Sequence, residues 1–331
     1  MEINSTLKRK TLSLIGKSSL VTAIAGIAPQ VLSQEKKLTI GYWPIAAGLP
    51  FFVAMEKGFF KQAGLNVEAV KFASPNQVVD AMVAGRIDGC ANGVAITALA
   101  LADAQMPGSI KYTCMNFANE KYILDQFIVP INSPVTLINE LGGKKVACGP
   151  GINNVTLTKA ILQGNGITNA QVIELPITQI LPALASGQID AAYVLEPSAV
   201  IGKQQKISKS IGAGVVSKYV LGDNLPWFGG AAALLSKTFK EKADMVPKFL
   251  KGYASGVEYV RKNGLEANQY LKGYTAIDGD LAKEVPISGY VTYDEVRAND
   301  VKALQRLFDV FADRKVFEKP ISALNLLYKP T

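Results

Sequence analysis

Gln77 to Asp88 reads QVVDAMVAGRID, and Gln179 to Asp190 reads QILPALASGQID. Gln, Ala, Gly, Ile and Asp recur at matching offsets, and most intervening positions are apolar in both copies. Each copy has the pattern of a helix, a glycine stop and a strand that opens on Ile-Asp. The register extends upstream: KKLTIGYWPIAAGLPFFVAMEKGFFKQAGLNVEAV precedes the first copy, and KKVACGPGINNVTLTKAILQGNGITNAQVIEL precedes the second. Both stretches predict strand, glycine-containing turn, helix, Gly-Leu or Gly-Ile, and strand. A chain that builds the same β-α-β-α-β unit twice is expected to make two similar α/β lobes, and a cleft between lobes is a favoured site for a small ligand.

The 331 residues suffice for two cores, and 49% hydrophobic content with mean hydropathy +0.18 predicts an ordered globular chain. Residues 1–33 have the layout of a signal peptide. Lys8, Arg9, Lys10 and Lys17 form a basic segment, Leu20 to Ala28 is an apolar run too short to span a bilayer, and Val31-Leu32-Ser33 offers a cleavage site. No cysteine lies near that cut, so a lipid-modified N-terminus is not expected, and a Gram-negative periplasm is the expected location. Cys90, Cys114 and Cys148 are an odd set without CxxC spacing, which points to buried thiols and leaves one pairing open. The formal charge of +8 falls to about +5 without the leader, because four basic residues and Glu2 leave with it. The remaining Lys and Arg are scattered, so no nucleic-acid partner is expected.

Along the chain, the patterning predicts one helix over Pro50–Gln62, strands near Ile87–Cys90, Lys111–Phe117 and Ile123–Val129, and a strand over Val215–Leu221. Single amphipathic helices are expected over Lys237–Lys262 and Glu295–Lys315. The C-terminal elements have no counterpart after the first unit and are expected to pack back on the first lobe. Lobe 1 would then be 37–127 plus 229–331, and lobe 2 would be 128–228. The chain would cross twice, near Gln126–Val129 and near Phe228–Ser236, as a double-strand hinge.

Catalytic chemistry is sparse. The chain contains no histidine, which removes Ser-His-Asp and Cys-His arrangements and the commonest metal ligand. There is no GxxxxGK[ST] loop and no GxGxxG at a strand-to-helix junction. No enzyme activity, cofactor or metal is expected. Asp88 and Asp190, at equivalent repeat positions, are read as braces for the turns beside their strands.

Ligands of open α/β sheets bind beyond the carboxyl ends of the strands. The turns there are Trp43-Pro44-Ile45-Ala46-Ala47-Gly48, Ser74-Pro75-Asn76, Asn92-Gly93, Gly151-Ile152-Asn153-Asn154 and Glu196-Pro197. Helix N-termini after such turns could hold an acidic head group without Arg. Asn76, Asn92, Asn153 and Asn154 are also natural helix caps, and for each one capping alone is the blander reading. Trp43 and Trp227, the only tryptophans, fall in turns and could wall a ligand.

These segments resemble the nitrate/sulfonate/taurine-type periplasmic substrate-binding proteins of ABC importers, the family that includes thiamine-pyrimidine-precursor binders. GYWPIAAGLPFFVAMEKGFFKQAGLNVEAV is similar to the family's opening strand, ligand loop and helix, and GKKVACGPGINNVTLTKAIL to its second-lobe loop. ALASGQIDAAYVLEPSA and the C-terminal ALQRLFDVFADRKVFEKPISALNLLY match further family segments, so the resemblance covers nearly the whole chain after the leader. It implies a two-lobed type II periplasmic-binding fold that closes on its ligand and docks, as a monomer, on a membrane permease with its ATPase. Ligand contacts carry over to Trp43, Ala47, Gly48, Asn76, Asn92, Gly93, Gly151, Asn153, Asn154 and Glu196, with Trp227 added from its own turn. The chain departs from the family in having Ile152-Asn153-Asn154 where sulfonate binders often have His or Ser, and in lacking Arg in the cleft loops. That shifts the expectation toward a neutral or zwitterionic solute. A periplasmic sensory receptor and a pyrimidine-synthase-like enzyme are the competing functions. The synthases depend on a His and a Cys cluster, and this chain has neither.

Overall fold

In a computed structural model the chain is described over residues 37–222, 225–277 and 279–330. The expected leader at 1–33 lies outside them. The first repeat builds β1 (Lys37–Tyr42), α1 (Leu49–Glu56), α2 (Phe59–Gln62), β2 (Asn66–Lys71), α3 (Pro75–Val83), β3 (Gly89–Cys90), α4 (Ile96–Gln105) and β4 (Ile110–Ala118). The chain then forms β5 (Asp125–Pro130) and the second repeat: β6 (Lys145–Cys148), α5 (Ile152–Gly164), β7 (Gln171–Glu174), α6 (Ile177–Ala185), β8 (Ala191–Leu195), α7 (Ser198–Gln204) and β9 (Ser208–Ala213). It ends with β10 (Trp227–Leu235), α8 (Ser236–Glu241), α9 (Val246–Asn263), β11 (Gly289–Thr292), α10 (Ala298–Asp313) and α11 (Ala323–Leu326).

The strands form two mixed sheets flanked by helices. One has the order β11-β4-β10-β3-β1-β2 and the other β7-β6-β8-β5-β9. The repeat is visible in both: β1 lies between β2 and β3, and β6 between β7 and β8, all parallel. The paired aspartates act alike. Asp88 Oδ2 accepts from Thr39 N–H and Asp190 Oδ2 from Lys145 N–H, both at 2.8 Å, while each aspartate's own N–H bonds back to that same residue's carbonyl. Each side chain thus fastens the third strand of its unit to the start of the first.

Side chains alternate across the strands and so divide the core. On β5, Phe127 and Val129 join a central cluster that also holds Trp43, Tyr112, Val146, Tyr193, Phe308 and Phe311, while Ile128 faces a separate cluster with Ile180 and Val194. On β10, Ala231 and Ala233 join the central cluster, and Ala232 and Leu234 face a third one around Phe51, Phe249 and Tyr253. The central cluster draws on both sheets. α1 is buried on nearly every side, as its unbroken apolar sequence requires.

Several elements differ from their sequence expectation. The helix expected over Pro50–Gln62 is α1 and α2, separated at Lys57-Gly58. Lys237–Lys262 is likewise α8 and α9. Val215–Leu221 is not a strand: Val216 N–H donates to the buried Asp125 Oδ2 at 2.8 Å, β9 already holds that edge of β5, and Ser217–Leu221 closes into a wide helical turn. α10 begins at Ala298 because Glu295 turns its carboxylate to Thr292 and Arg261 instead of joining the helix. The crossings between sheets lie between β4 and β5 and between β9 and β10, since β5 and β10 each lie wholly within one sheet. Cys90, Cys114 and Cys148 are all free and buried. Among the described residues no helix is long and apolar enough to cross a membrane.

Candidate functional site

The carboxyl ends of β1, β3, β6 and β8 bring loops from both sheets together. Ala46 N–H, in the β1–α1 turn, donates to the Glu196 carbonyl after β8 at 2.9 Å. Thr97 Oγ1 on α4 donates to Asn153 Oδ1 on α5 at 2.6 Å, in a buried position. Gly151 stands against the Asn76 side chain: a Cβ there would lie 2.9 Å from Asn76 Oδ1, and φ of +105 already disfavours any other residue. Three contacts therefore close the first sheet's rim onto the second's.

Two small cavities remain at this junction. One is bordered by Trp43, Gly93, Asn116, Asn153 and Trp227, among others; the other by Trp43, Asn154, Ile177 and Tyr193. Each holds about 10 Å³, room for roughly one water, so an organic solute enters only if the rims part.

The polar groups around these cavities are unevenly satisfied. Asn116, at the centre of β4, accepts from Gly93 N–H at 3.2 Å through Oδ1, which fixes the amide and leaves Nδ2 without a partner. Trp43 Nε1, Trp227 Nε1 and Tyr193 Oη also lack partners. All four residues are at most 2% exposed. Burial, with Asp125 and Cys148 nearby, pushes the Tyr193 phenol well above its ordinary range, so it remains a donor. Groups of this kind are uncommon in protein interiors because an unmatched buried donor costs about 1–3 kcal/mol.

Of the residues singled out in the sequence, Trp43, Gly93, Asn153, Asn154 and Trp227 border the cavities. Asn153 and Asn154 are not helix caps, since α5 starts at Ile152 with Gly151 in the cap position; Asn154 Nδ2 donates to the Pro150 carbonyl at 2.9 Å. The α3 cap is Ser74, whose Oγ accepts from Gln77 N–H, so Asn76 is free to meet Gly151. Ala47 and Gly48 pack inward, and a Cβ on Gly48 would strike the Phe52 ring. Asn92 is locked: its Oδ1 accepts from Tyr253 Oη at 2.7 Å, its Nδ2 donates to the Cys114 carbonyl, and its own N–H donates to Tyr253 Oη.

Glu196 is fully buried with both oxygens engaged, Oε1 by Gln126 Nε2 and Oε2 by Val200 N–H at 3.3 Å. Burial lifts its carboxyl to about 7, and lifts that of Asp125 to about 6. The thiols are unreactive: burial pushes Cys90 up to about 12 and Cys148 to about 11.

Asn116 and Tyr193 were missed in the sequence. The only signal was an amide late in the strand IKYTCMNFA and a phenol inside the otherwise small and apolar strand AAYVL.

Comparison with known proteins gives three findings. The family model described as NMT1/THI5 like matches residues 47–267. Among solved structures, the periplasmic aliphatic sulphonate binding protein SsuA from Escherichia coli is 16% identical with a TM-score of 0.70, over 89% of this chain and 92% of that one. The alkanesulfonate-binding protein SsuA from Xanthomonas axonopodis pv. citri, bound to MOPS, is 17% identical with a TM-score of 0.72, over 89% and 98%. The periplasmic nitrate-binding protein NrtA from Synechocystis PCC 6803 is 14% identical with a TM-score of 0.62, over 82% and 81%. These likenesses show the fold: two mixed sheets with flanking helices arranged as in periplasmic binding proteins. No curated protein matches the chain.

Proposed function

This chain belongs to the NMT1/THI5-like family, and from that premise we propose that it is the extracytoplasmic solute-binding receptor of an ABC importer. The sheet-bearing halves serve as jaws, with the two crossings between them, β4 to β5 and β9 to β10, as the hinge. A small solute is trapped where the rims meet, and the closed form docks, as a monomer, on a permease served by an ATPase. The carrying observation is the set of four buried polar groups without partners at the one junction where loops of both sheets converge. A binding role also fits the chemistry present, because the buried thiols are held protonated and no histidine is available for proton transfer.

The mechanism follows from the rim contacts. With the rims apart, Thr97, Asn153 and the Ala46 N–H face water. A solute that occupies the junction supplies partners to the orphaned groups, and closure then forms the Thr97–Asn153 and Ala46–Glu196 bonds around it. Solute and closure stabilise each other by linkage.

The test is a thermal-shift screen of the chain without residues 1–33, against sulfonates, taurine, nitrate, bicarbonate, pyrimidine precursors, flavins and aromatic acids. A bound solute at a hundred times its Kd adds about 2.7 kcal/mol. X-ray scattering should show a smaller radius of gyration with any hit. A hit that leaves the dimensions unchanged removes the jaw mechanism, and silence across the panel removes the receptor.

A further inference from the structure

We propose, resting on the receptor reading above, that the cleft takes an uncharged organic solute rich in hydrogen-bond acceptors and discriminates against oxyanions. The first observation is the sign of the orphaned groups whose residues border the two cavities. Trp43 Nε1, Trp227 Nε1 and Asn116 Nδ2 can only donate, and the Tyr193 hydroxyl beside them is held protonated. A solute that satisfies them presents acceptors on several sides: carbonyl oxygens, ring nitrogens or ethers.

The second observation concerns the places where an anion would sit. Four of the backbone N–H groups beyond the ends of the cleft strands are already taken by the protein's own side-chain acceptors. Gly151 N–H, at the start of α5, donates to Glu174 Oε2 at 2.6 Å. Val200 N–H, in the first turn of α7, donates to Glu196 Oε2. Gln77 N–H is taken by Ser74 and Gly93 N–H by Asn116. Two of these four acceptors are carboxyl groups, so part of the N–H surface that could have held an oxyanion holds a carboxyl oxygen instead.

The third observation is the charge of the surroundings. Neither cavity is bordered by Lys or Arg among the described residues. Leu124 and Leu195 line the first cavity, and each is followed directly by a fully buried carboxyl, Asp125 and Glu196. An anion enclosed there loses its hydration, finds no cation and adds to the negative charge of nearby acids. An uncharged solute meets the same donors without that cost.

Matched pairs isolate charge from shape. Calorimetric titration near pH 7.5 would compare nicotinamide with nicotinate and benzamide with benzoate, with ethanesulfonate and nitrate as further anions. Indole fluorescence would report on Trp43 and Trp227, and mass spectrometry would identify any small molecule released when protein purified from rich medium is denatured. The expected result is at least tenfold tighter binding of an amide than of its carboxylate, or an uncharged released solute. Tyr193→Phe, which removes one oxygen, should weaken that binding about tenfold and leave ligand-free melting unchanged. Tighter binding of any of the four anions overturns the uncharged class while the receptor stands. A Tyr193→Phe protein with full affinity overturns the donor set. Silence from all six probes, with no solute released, overturns the class and the receptor together.

Discussion

Glu196 joins the two halves through its backbone and stores a conflict in its side chain. Its carbonyl accepts from Ala46 across the rim, while its carboxyl is buried and raised from 4.5 to about 7 by desolvation, only partly offset by Val200 and Gln126. A raised carboxyl binds protons more tightly in the folded state than in the unfolded one. Its contribution is therefore unfavourable once the unfolded group ionises, growing from about pH 4.5 and levelling off near pH 7. Asp125, raised to about 6, acts in the same direction over a narrower window. Glu196→Gln keeps an oxygen for Val200 N–H and removes the titration. In urea unfolding the variant should gain on the wild type as pH rises from 4.5 to 7, by an amount of the order of 3 kcal/mol, with little change above. A difference that stays constant with pH would show that Glu196 is ionised at no cost in the folded protein.

The elements that meet across the rim are α4 and α5, tied by Thr97 and Asn153. Thr97→Ala leaves Asn153 Oδ1 buried and unmatched only when the rims are closed. It should weaken binding of an identified solute about tenfold, within the ~1–3 kcal/mol of an orphaned buried acceptor, and barely move the ligand-free melting point. Equal losses of both would make the pair a static brace. A second tie is Arg261 of α9, which donates to both Glu295 oxygens at 2.6 and 2.7 Å and to the Tyr290 carbonyl, fixing β11 and the approach to α10. Glu295 is lowered to about 2, first by Arg261 and then by Thr292, so its support is complete above the unfolded carboxyl range and fades as pH falls toward 2. The pair is partly solvated, so Glu295→Gln should cost only about 1 kcal/mol at pH 7, and denaturant midpoints of variant and wild type should converge in acid. A gap that persists at low pH would mean that packing, not charge, is lost. At this scale the repeat was readable: Asp88 and Asp190 were identified as braces because local pattern and turn chemistry repeat in sequence. The cleft asparagines were only partly readable. Asn92 and Asn154 are matched by partners far away in the chain or by irregular turns, and Asn116 acquires its meaning only when β3, β4 and β10 lie side by side. Single helices were expected at 50–62 and 237–262, but each breaks locally: Gly58 turns left-handed at φ +67 between α1 and α2, and Pro247 opens α9 as a new helix.

For the whole molecule the question is whether two halves joined by two loops unfold as one. The sequence assigned the C-terminal elements to the first half, and α10 does pack on β10, but it also contacts the helical turn at 217–221 next to the second crossing. Leu307, Phe308 and Phe311 of α10 enter the same cluster as Phe127, Val146 and Leu221, so the central core crosses the hinge. Arg314, just past α10, reaches Gln163 on α5 at 3.4 Å. This helix therefore sits on the hinge side while the solute rims lie at the strand ends, an arrangement that lets the rims part about a region that stays packed. Because the core is shared, calorimetry of the ligand-free protein should give one transition with equal calorimetric and van't Hoff enthalpies. Leu307→Ala, at a fully buried position, should lower that single transition by about 5 °C, the shift that follows from a ~2–5 kcal/mol cavity cost in a chain of this size. If the variant instead splits the trace into two peaks with one at the wild-type temperature, the halves are thermodynamically separate and α10 belongs to one jaw alone.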